Sequence, residues 1–218
     1  MLHFFIILRL GRTSFRTIKK NRDYLQNKTN YNWLYLSRLA SLKEFSFMQI
    51  LYDNGFPTPK PIDSNRHGIL MSFIDGFALC QVREFENVAG IYSQCIDLLK
   101  KLYLHGLIHS DFNEFNLMID EEERVRIIDF PQMISISHIN AGFYLERDYN
   151  CVQLFFKKRF DFEDKGQDII FSELKPVKRL DIDVKASGFL NKELGDLSAL
   201  NILVFYFIYF FIKNIYKG

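Results

Sequence analysis

The feature that most constrains this chain is a polar loop caught between short apolar runs. Leu107-Ile108 leads into His109-Ser110-Asp111-Phe112-Asn113-Glu114-Phe115-Asn116, and Leu117-Met118-Ile119 follows at once. The acidic stretch Asp120-Glu121-Glu122-Glu123 then separates that triplet from Val125-Arg126-Ile127-Ile128. Two short apolar runs joined by a polar turn read as a β-hairpin. The hairpin constrains the polar groups at its open end: its first strand leaves Asn116 and its second delivers Asp129, so an amide and a carboxylate distant in the chain converge. Asp129-Phe130-Pro131 ends the second strand, because proline cannot donate to a ladder.

The rest of the chain alternates helical and extended patterns. Residues 33–54 read as a helix closed by Gly55, with Leu36, Ala40, Phe47, Met48 and Leu51 at helical spacing. Glu44 falls inside that stripe, where a carboxylate needs a partner or a proton; the other placement is a solvent-exposed edge, where most glutamates sit. Pro57, Pro59 and Pro61 exclude helix over residues 56–62 and hold their predecessors extended. Ile69-Leu70-Met71 reads as a short buried strand, and Asp75-Gly76 as the turn at which two lobes would join. A second helix carries Val88, Ile91, Tyr92, Cys95, Leu98, Leu99 and Leu102 up to Gly106. A third covers residues 141–160, with Tyr144, Cys151, Val152, Phe155 and Phe156 inward. The opening run MLHFFIIL has no basic region before it, so it reads as a strand and not a signal peptide.

Composition narrows the partners. Net charge over the 218 residues is +2, which excludes a general polycation. Yet residues 9–32 hold seven basic side chains against the single acid Asp23, either a phosphate-contacting segment or a solvated loop. Cys80, Cys95 and Cys151 form no close pair, so neither a disulfide framework nor a zinc site is expected, and a reducing compartment is. Residues 199–212 are almost unbroken apolar but fall short of the roughly 20 residues of a spanning helix. They read as a surface-packed or self-associating tail, with no membrane partner expected.

The polar loop and Asp129 suit phosphoryl transfer. That chemistry needs a carboxylate to orient the attacking hydroxyl, and oxygen ligands to hold Mg²⁺ against phosphates. Asp111 fits the first role; Asn116 and Asp129 fit the second. Aspartates and asparagines also cap and turn loops without any chemistry, but the three together at this spacing between apolar strands favour the metal and proton roles. His109 reads as a residue orienting the loop, because Asp111 is better placed to act as base.

Longer segments carry a family resemblance. GLIHSDFNEFNLMI with IIDFPQMISISH, in which proline follows the Asp-Phe pair, and AGFYLERDYNCVQLFFKKRF resemble the RIO type of atypical serine/threonine protein kinase. RLGRTSFR, KKNRDY, WLYLSRLASLKEFSFMQILYDNGFPTPKPID, NRHGILM and LDIDVKASGF are similar to its second subfamily. The resemblance runs from about residue 9 to about residue 197. It implies an α+β, two-lobed kinase-like fold, with residues 1–74 as part of the N-lobe, 75–197 as the C-lobe and 198–218 as a tail. It further implies Mg²⁺ and ATP as cofactors, Asp111 as catalytic acid/base, and Asn116 and Asp129 on the metal, with Asp129 also accepting phosphate. Adenine would meet backbone at Ser72 and Ile74 beside Met71. The implied partner is the pre-ribosomal small subunit, its RNA and proteins, in a cytoplasmic protein that shuttles through the nucleus. Ser110 stands where the family often has glycine.

Two departures accompany the match. The family's glycine-rich ATP loop precedes the point where this sequence starts, and aligning RLGRTSFR puts Ile6 where the ATP lysine belongs. Isoleucine can neither neutralise phosphate nor pair with Glu44, so the N-lobe is expected to be incomplete and nucleotide binding weak. A catalytically impaired binding module for ribosome assembly is the alternative function, and a small-molecule phosphotransferase ranks below it, lacking Pro131-Gln132-Met133 and RLGRTSFR.

Overall fold

The computed structural model describes residues 3–7, 33–65, 68–164 and 171–186. The smaller layer is a three-stranded antiparallel sheet of β1 (His3–Ile7), β2 (Pro61–Asn65) and β3 (Gly68–Ser72), in the order β1-β3-β2. The opening apolar run is therefore a strand, as its composition predicts. Met71 of the central strand faces Phe4 on one side and Pro61 on the other, and proline is tolerated because it opens an edge strand. The helix α1 (Trp33–Asp53) packs against β2 and β3 and buries Ala40, Phe47, Met48 and Leu51. It stops where Gly55 takes a φ of +69°, a left-handed conformation that glycine adopts without strain.

Residues 73–76 link this layer to the larger one. Gly76 passes so close to the hairpin that a Cβ there would collide with the Ile119 carbonyl. That approach lets β4 (Phe77–Ala78) pair with β6 (Leu117–Ile119), which pairs in turn with β7 (Val125–Ile127) in the register Leu117 to Ile127. The expected hairpin is present, with a third strand on its outer edge that the two-residue run Phe77-Ala78 is too short to announce. Two further strands, β5 (Leu107–Ile108) and β8 (Ile134–Ser135), pair with each other and so close the base of the whole segment between them.

The helices α2 (Val88–Leu104) and α3 (Ala141–Phe160) flank these strands. One apolar core joins Leu51 of α1, Met71 of β3, Leu99 of α2, Leu117 and Ile127 of the hairpin, and Phe156 of α3. Along α3 the buried positions are Tyr144, Leu145, Asp148, Val152 and Phe156. The inward placement expected for Cys151 and Phe155 needs correction, since both are only half-buried. They lie one position off the stripe that steps by four residues from Tyr144 to Phe156. A last short helix, α4 (Leu180–Ala186), sets Leu180 and Val184 into the core. The basic segment 9–32 and the apolar run 199–212 lie wholly outside the described residues. Among the described residues, no helix is long and apolar enough to cross a membrane.

Candidate active site

Two backbone segments form the site: the loop 109–116 between β5 and β6, and the turn 128–133 between β7 and β8. His109 joins them. It is fully buried, its Nε2 donates to the Ile128 carbonyl at 3.2 Å, and its ring meets Phe112 and Phe130 edge-on. Desolvation is the main reason its pKa falls to about 4. The ring is therefore neutral near pH 7 and its Nε2 is the protonated nitrogen, which leaves Nδ1 without a partner among the described residues. A buried neutral imidazole spent on a carbonyl is a strut between segments, as its neighbour Asp111 led us to expect.

Asp111 is half-buried, and both of its carboxylate oxygens are engaged by amides. Asn113 Nδ2 donates to Oδ1 at 3.0 Å and Gln132 Nε2 donates to Oδ2 at 2.7 Å. The two amide donors fix the plane of the carboxylate. Asn116 donates its Nδ2 to the Asp111 carbonyl at 2.9 Å, and its own carbonyl accepts from Ile128 at 3.0 Å. The side-chain bond leaves Oδ1 of Asn116 as the remaining ligand atom. Through the Ile128 bond, the residue before Asp129 is tied to Asn116, so the structure does bring the amide and the second aspartate to one end of the hairpin. Asp129 is half-buried and takes a φ of +67°, a costly conformation for a residue with a Cβ and one that clusters at functional sites.

Each aspartate is steadied by a buried carboxylate from a helix. Asp148 of α3, 1% exposed, accepts from the N–H groups of Ser110 at 2.7 Å and Phe112 at 3.1 Å, the residues on either side of Asp111. Its neighbour Arg147 donates to the Ser110 carbonyl. Burial raises the Asp148 pKa to about 7 against the opposing pull of those two N–H groups and Arg147. Glu44 of α1 is also 1% exposed and accepts from the Phe130 N–H at 2.6 Å, beside Asp129. Its pKa is raised well above the usual carboxylate value, first by desolvation and then by the charge of Asp129. The solvent-exposed placement of Glu44 is thus excluded. Its partner in the described residues is the backbone N–H of Phe130, in the turn that bears Asp129.

The linker residues lie at the edge of this arrangement. Met71 is buried in the core and Ile74 is buried beyond the end of β3. The Ser72 N–H is committed to the Lys60 carbonyl at 2.9 Å, and its Oγ accepts from the Lys60 N–H at 2.8 Å. Among the described residues no backbone bond is made by the Ile74 N–H. Of the two positions expected to meet adenine, Ile74 is the one whose donor is open.

With this geometry in hand, comparison with known proteins is decisive. The chain matches the RIO domain family over residues 5–167. It belongs to the RIO family. Within the family it is 50% identical to the serine/threonine-protein kinase rio2 of Dictyostelium discoideum over 87% of this chain and 37% of that protein. It is 42% identical to the serine/threonine-protein kinase RIO2 of Saccharomyces cerevisiae over 87% of this chain and 50% of that one. A crystal structure of the Rio2 kinase of Chaetomium thermophilum, in complex with ADP, Mg²⁺ and phosphoaspartate, superposes with a TM-score of 0.72 at 45% identity, covering 88% of this chain and 61% of that chain. These relatives assign the chain to the second RIO subfamily and its fold to the two-lobed kinase-like class. The chain spans between about a third and three-fifths of their lengths.

Several RIO-site residues escaped sequence reasoning. Asp148 was findable, because a carboxylate inside the apolar stripe of α3 is the same signal that singled out Glu44. Gln132 and Arg147 gave none, since polar residues beside a loop or on a helix flank are commonplace. Ser110 has a physical explanation that its small size did not supply: its φ is +64°, so the position favours glycine.

Proposed function

We propose that this chain is the catalytic core of a RIO serine/threonine kinase or ATPase that uses Mg-ATP. The observation that carries the reading is the joint anchoring of Asp111 and Asp129, each next to a backbone N–H that a buried helix carboxylate holds. Asp111, oriented by Asn113 and Gln132, takes the proton of the attacking hydroxyl or water. Asn116 Oδ1 and the Asp129 carboxylate fit a Mg²⁺ ion, which takes few protein ligands and completes its shell with phosphates and water. The ion supplies charge neutralisation for the transferring phosphoryl group. Ile74, with Ser72 and Met71 beside it, offers the linker backbone to adenine. Asp129 is also the acceptor in this reading: a carboxylate oxygen bonds the γ-phosphorus, the bond to the bridging oxygen breaks, and ADP leaves. The phosphoaspartate in the Chaetomium thermophilum relative supports this step.

The family resemblance extends the proposal to maturation of the pre-ribosomal small subunit, in the cytoplasm with passage through the nucleus. The test of the catalytic core is labelling with γ-phosphate-labelled ATP and Mg²⁺. We expect an acid-stable, hydroxylamine-sensitive label that Asp129→Asn abolishes, and a fall in turnover of about 10²- to 10⁴-fold in Asp111→Asn. Equal labelling of wild type and Asp129→Asn would overturn the reading. A second reading, a binding module with impaired catalysis, is favoured by the sequence alignment of Ile6 with the family's lysine. On that reading Ile6→Lys raises turnover.

A further inference from the structure

The β-turn that follows Asp129 is built to hold one side chain still. The Met133 N–H closes it onto the Phe130 carbonyl at 3.1 Å, and Pro131 takes its second position, where a ring-fixed φ suits the turn. Phe130, Pro131 and Met133 are all buried. Gln132 is the half-buried member of the four, and its Nε2 crosses to Asp111 Oδ2 at 2.7 Å. An ionised carboxylate only accepts, so the amide must turn its NH₂ towards Asp111.

The two amides on Asp111 are not equivalent. Asn113 is two residues away, and its own Oδ1 accepts from the Phe115 N–H at 3.0 Å, so its bond to Asp111 is internal to the loop. Gln132 is 21 residues away and moves with the turn that bears Asp129. One oxygen of Asp111 is therefore referenced to its own loop and the other to that turn. The result is a carboxylate plane set relative to Asp129, where the phosphoryl group is placed.

The two halves of a cycle through phospho-Asp129 make different demands on that plane. Formation uses a carboxylate as nucleophile, which has no proton to lose and needs no base. Discharge does need one. A water oxygen bonds the phosphorus, Asp111 takes a proton from that water, and the bond from phosphorus to the Asp129 oxygen breaks. Inorganic phosphate leaves with the Asp129 carboxylate restored. We propose, resting on the reading of Asp111 as base and Asp129 as acceptor, that Gln132 is a positioning residue for the discharge of phospho-Asp129 and not for its formation. Its amide fills one lone pair of Asp111 Oδ2 and leaves the other directed at the water. Small misplacements of a reacting group cost large factors in rate, so the donor matters more than the volume of the side chain.

The test uses the full chain with γ-phosphate-labelled ATP and Mg²⁺, and the near-isosteric variants Gln132→Met, which lacks the donor, and Gln132→Glu, which sets a like charge against Asp111. Phosphate release in Gln132→Met is expected to slow about tenfold or more, and in Gln132→Glu at least as much. Label per chain should equal or exceed that of wild type, because the acyl phosphate forms and is not discharged; retained label also shows that the variant is folded. KM for ATP, and Mn²⁺ affinity measured without nucleotide by the paramagnetic resonance of the free ion, should stay within about twofold. The turn keeps its bonds to His109, Asn116 and Glu44 in these variants. In the Asp111→Asn background, Gln132→Met should add no further loss, since both act on one group. Wild-type phosphate release in Gln132→Met would reduce Gln132 to packing and overturn the proposal. A raised KM or a lost Mn²⁺ affinity would overturn it in favour of a role in binding, as would label and release falling together. A further multiplicative fall on top of Asp111→Asn would equally overturn it. Absence of label from the wild-type chain sinks the catalytic reading and this proposal together, whereas any of the other adverse results sinks this one alone.

Discussion

Asp148 and Glu44 do the same work from opposite layers of the molecule, and they are not held alike. Asp148 reaches from α3 of the larger layer and takes two backbone N–H groups that bracket Asp111, with Arg147 adding a favourable charge. Glu44 reaches from α1 of the smaller layer and takes one N–H, beside Asp129, against the repulsion of that aspartate. The loop bearing Asp111 thus takes two helix-carboxylate bonds from within its own layer, while the turn bearing Asp129, held at Ile128 by His109 and Asn116, takes one helix-carboxylate bond from the other layer. A cation bound at Asp129 would relieve the repulsion that raises the Glu44 pKa and so strengthen that bond. The two aspartates therefore differ in how much of their placement is built before any ligand arrives.

The sharpest way to break this comparison is to remove each carboxylate. Asp148→Ala leaves two buried N–H donors unpaired, and Glu44→Ala leaves one. At roughly 1–3 kcal/mol for each such donor, the first should cost about twice the second in urea denaturation. A Glu44→Ala cost equal to or above that of Asp148→Ala would refute the asymmetry. Glu44→Gln keeps an acceptor and removes the charge, so it should be no less stable than wild type at neutral pH.

A smaller effect comes from pH. The folded pKa of Asp148 is raised from 3.8 to about 7, so its contribution is fully present below the unfolded value and is lost as pH rises through about 7. His109 runs the other way: its folded pKa is lowered from 6.5 to about 4, so its contribution is present above 6.5 and lost as pH falls through 4. The two slopes oppose each other, and the variant Asp148→Asn isolates the first. Denaturation of both proteins from pH 8 to pH 5 should show wild type gaining on Asp148→Asn as pH falls. A constant difference across that range would mean that Asp148 does not titrate there.

The smallest expected effect is at Ser110. Its φ of +64° costs a residue with a Cβ on the order of 1–2 kcal/mol, while glycine spends more chain entropy on folding. Ser110→Gly should therefore be neutral or stabilising by up to about 1 kcal/mol, checked by thermal unfolding. A clear loss of stability would argue that the loop before Asp111 is not left-handed, and that Asp148 grips it less firmly than described.

Most of the elements were legible because they announce themselves locally. The periodicity of α1 and α2, the ends at Gly55 and Gly106, and the hairpin around Asp120 to Glu123 all follow from spacing and turn chemistry. The elements that were not legible are those too short for any period: β4, β8 and α4 exist because a partner pairs with or covers them. At the site, Asp111, Asn116 and Asp129 were named by their spacing, and Glu44 by its place in an apolar stripe. Gln132 became visible only as a partner, because a hydrogen bond between residues 21 apart, as from Gln132 to Asp111, has no local signature.

The sequence by itself determined which residues could do chemistry and which family the chain belongs to, since motif spacing and residue type are properties of the chain. It could state that Glu44 needs a partner, but not which. Only the tertiary structure decided that the partner is the N–H of Phe130, that both oxygens of Asp111 are occupied by amides, and that Asp129 and Ser110 sit in left-handed conformations. The physical reason is that burial, hydrogen bonding and backbone strain depend on what distant segments bring to a point.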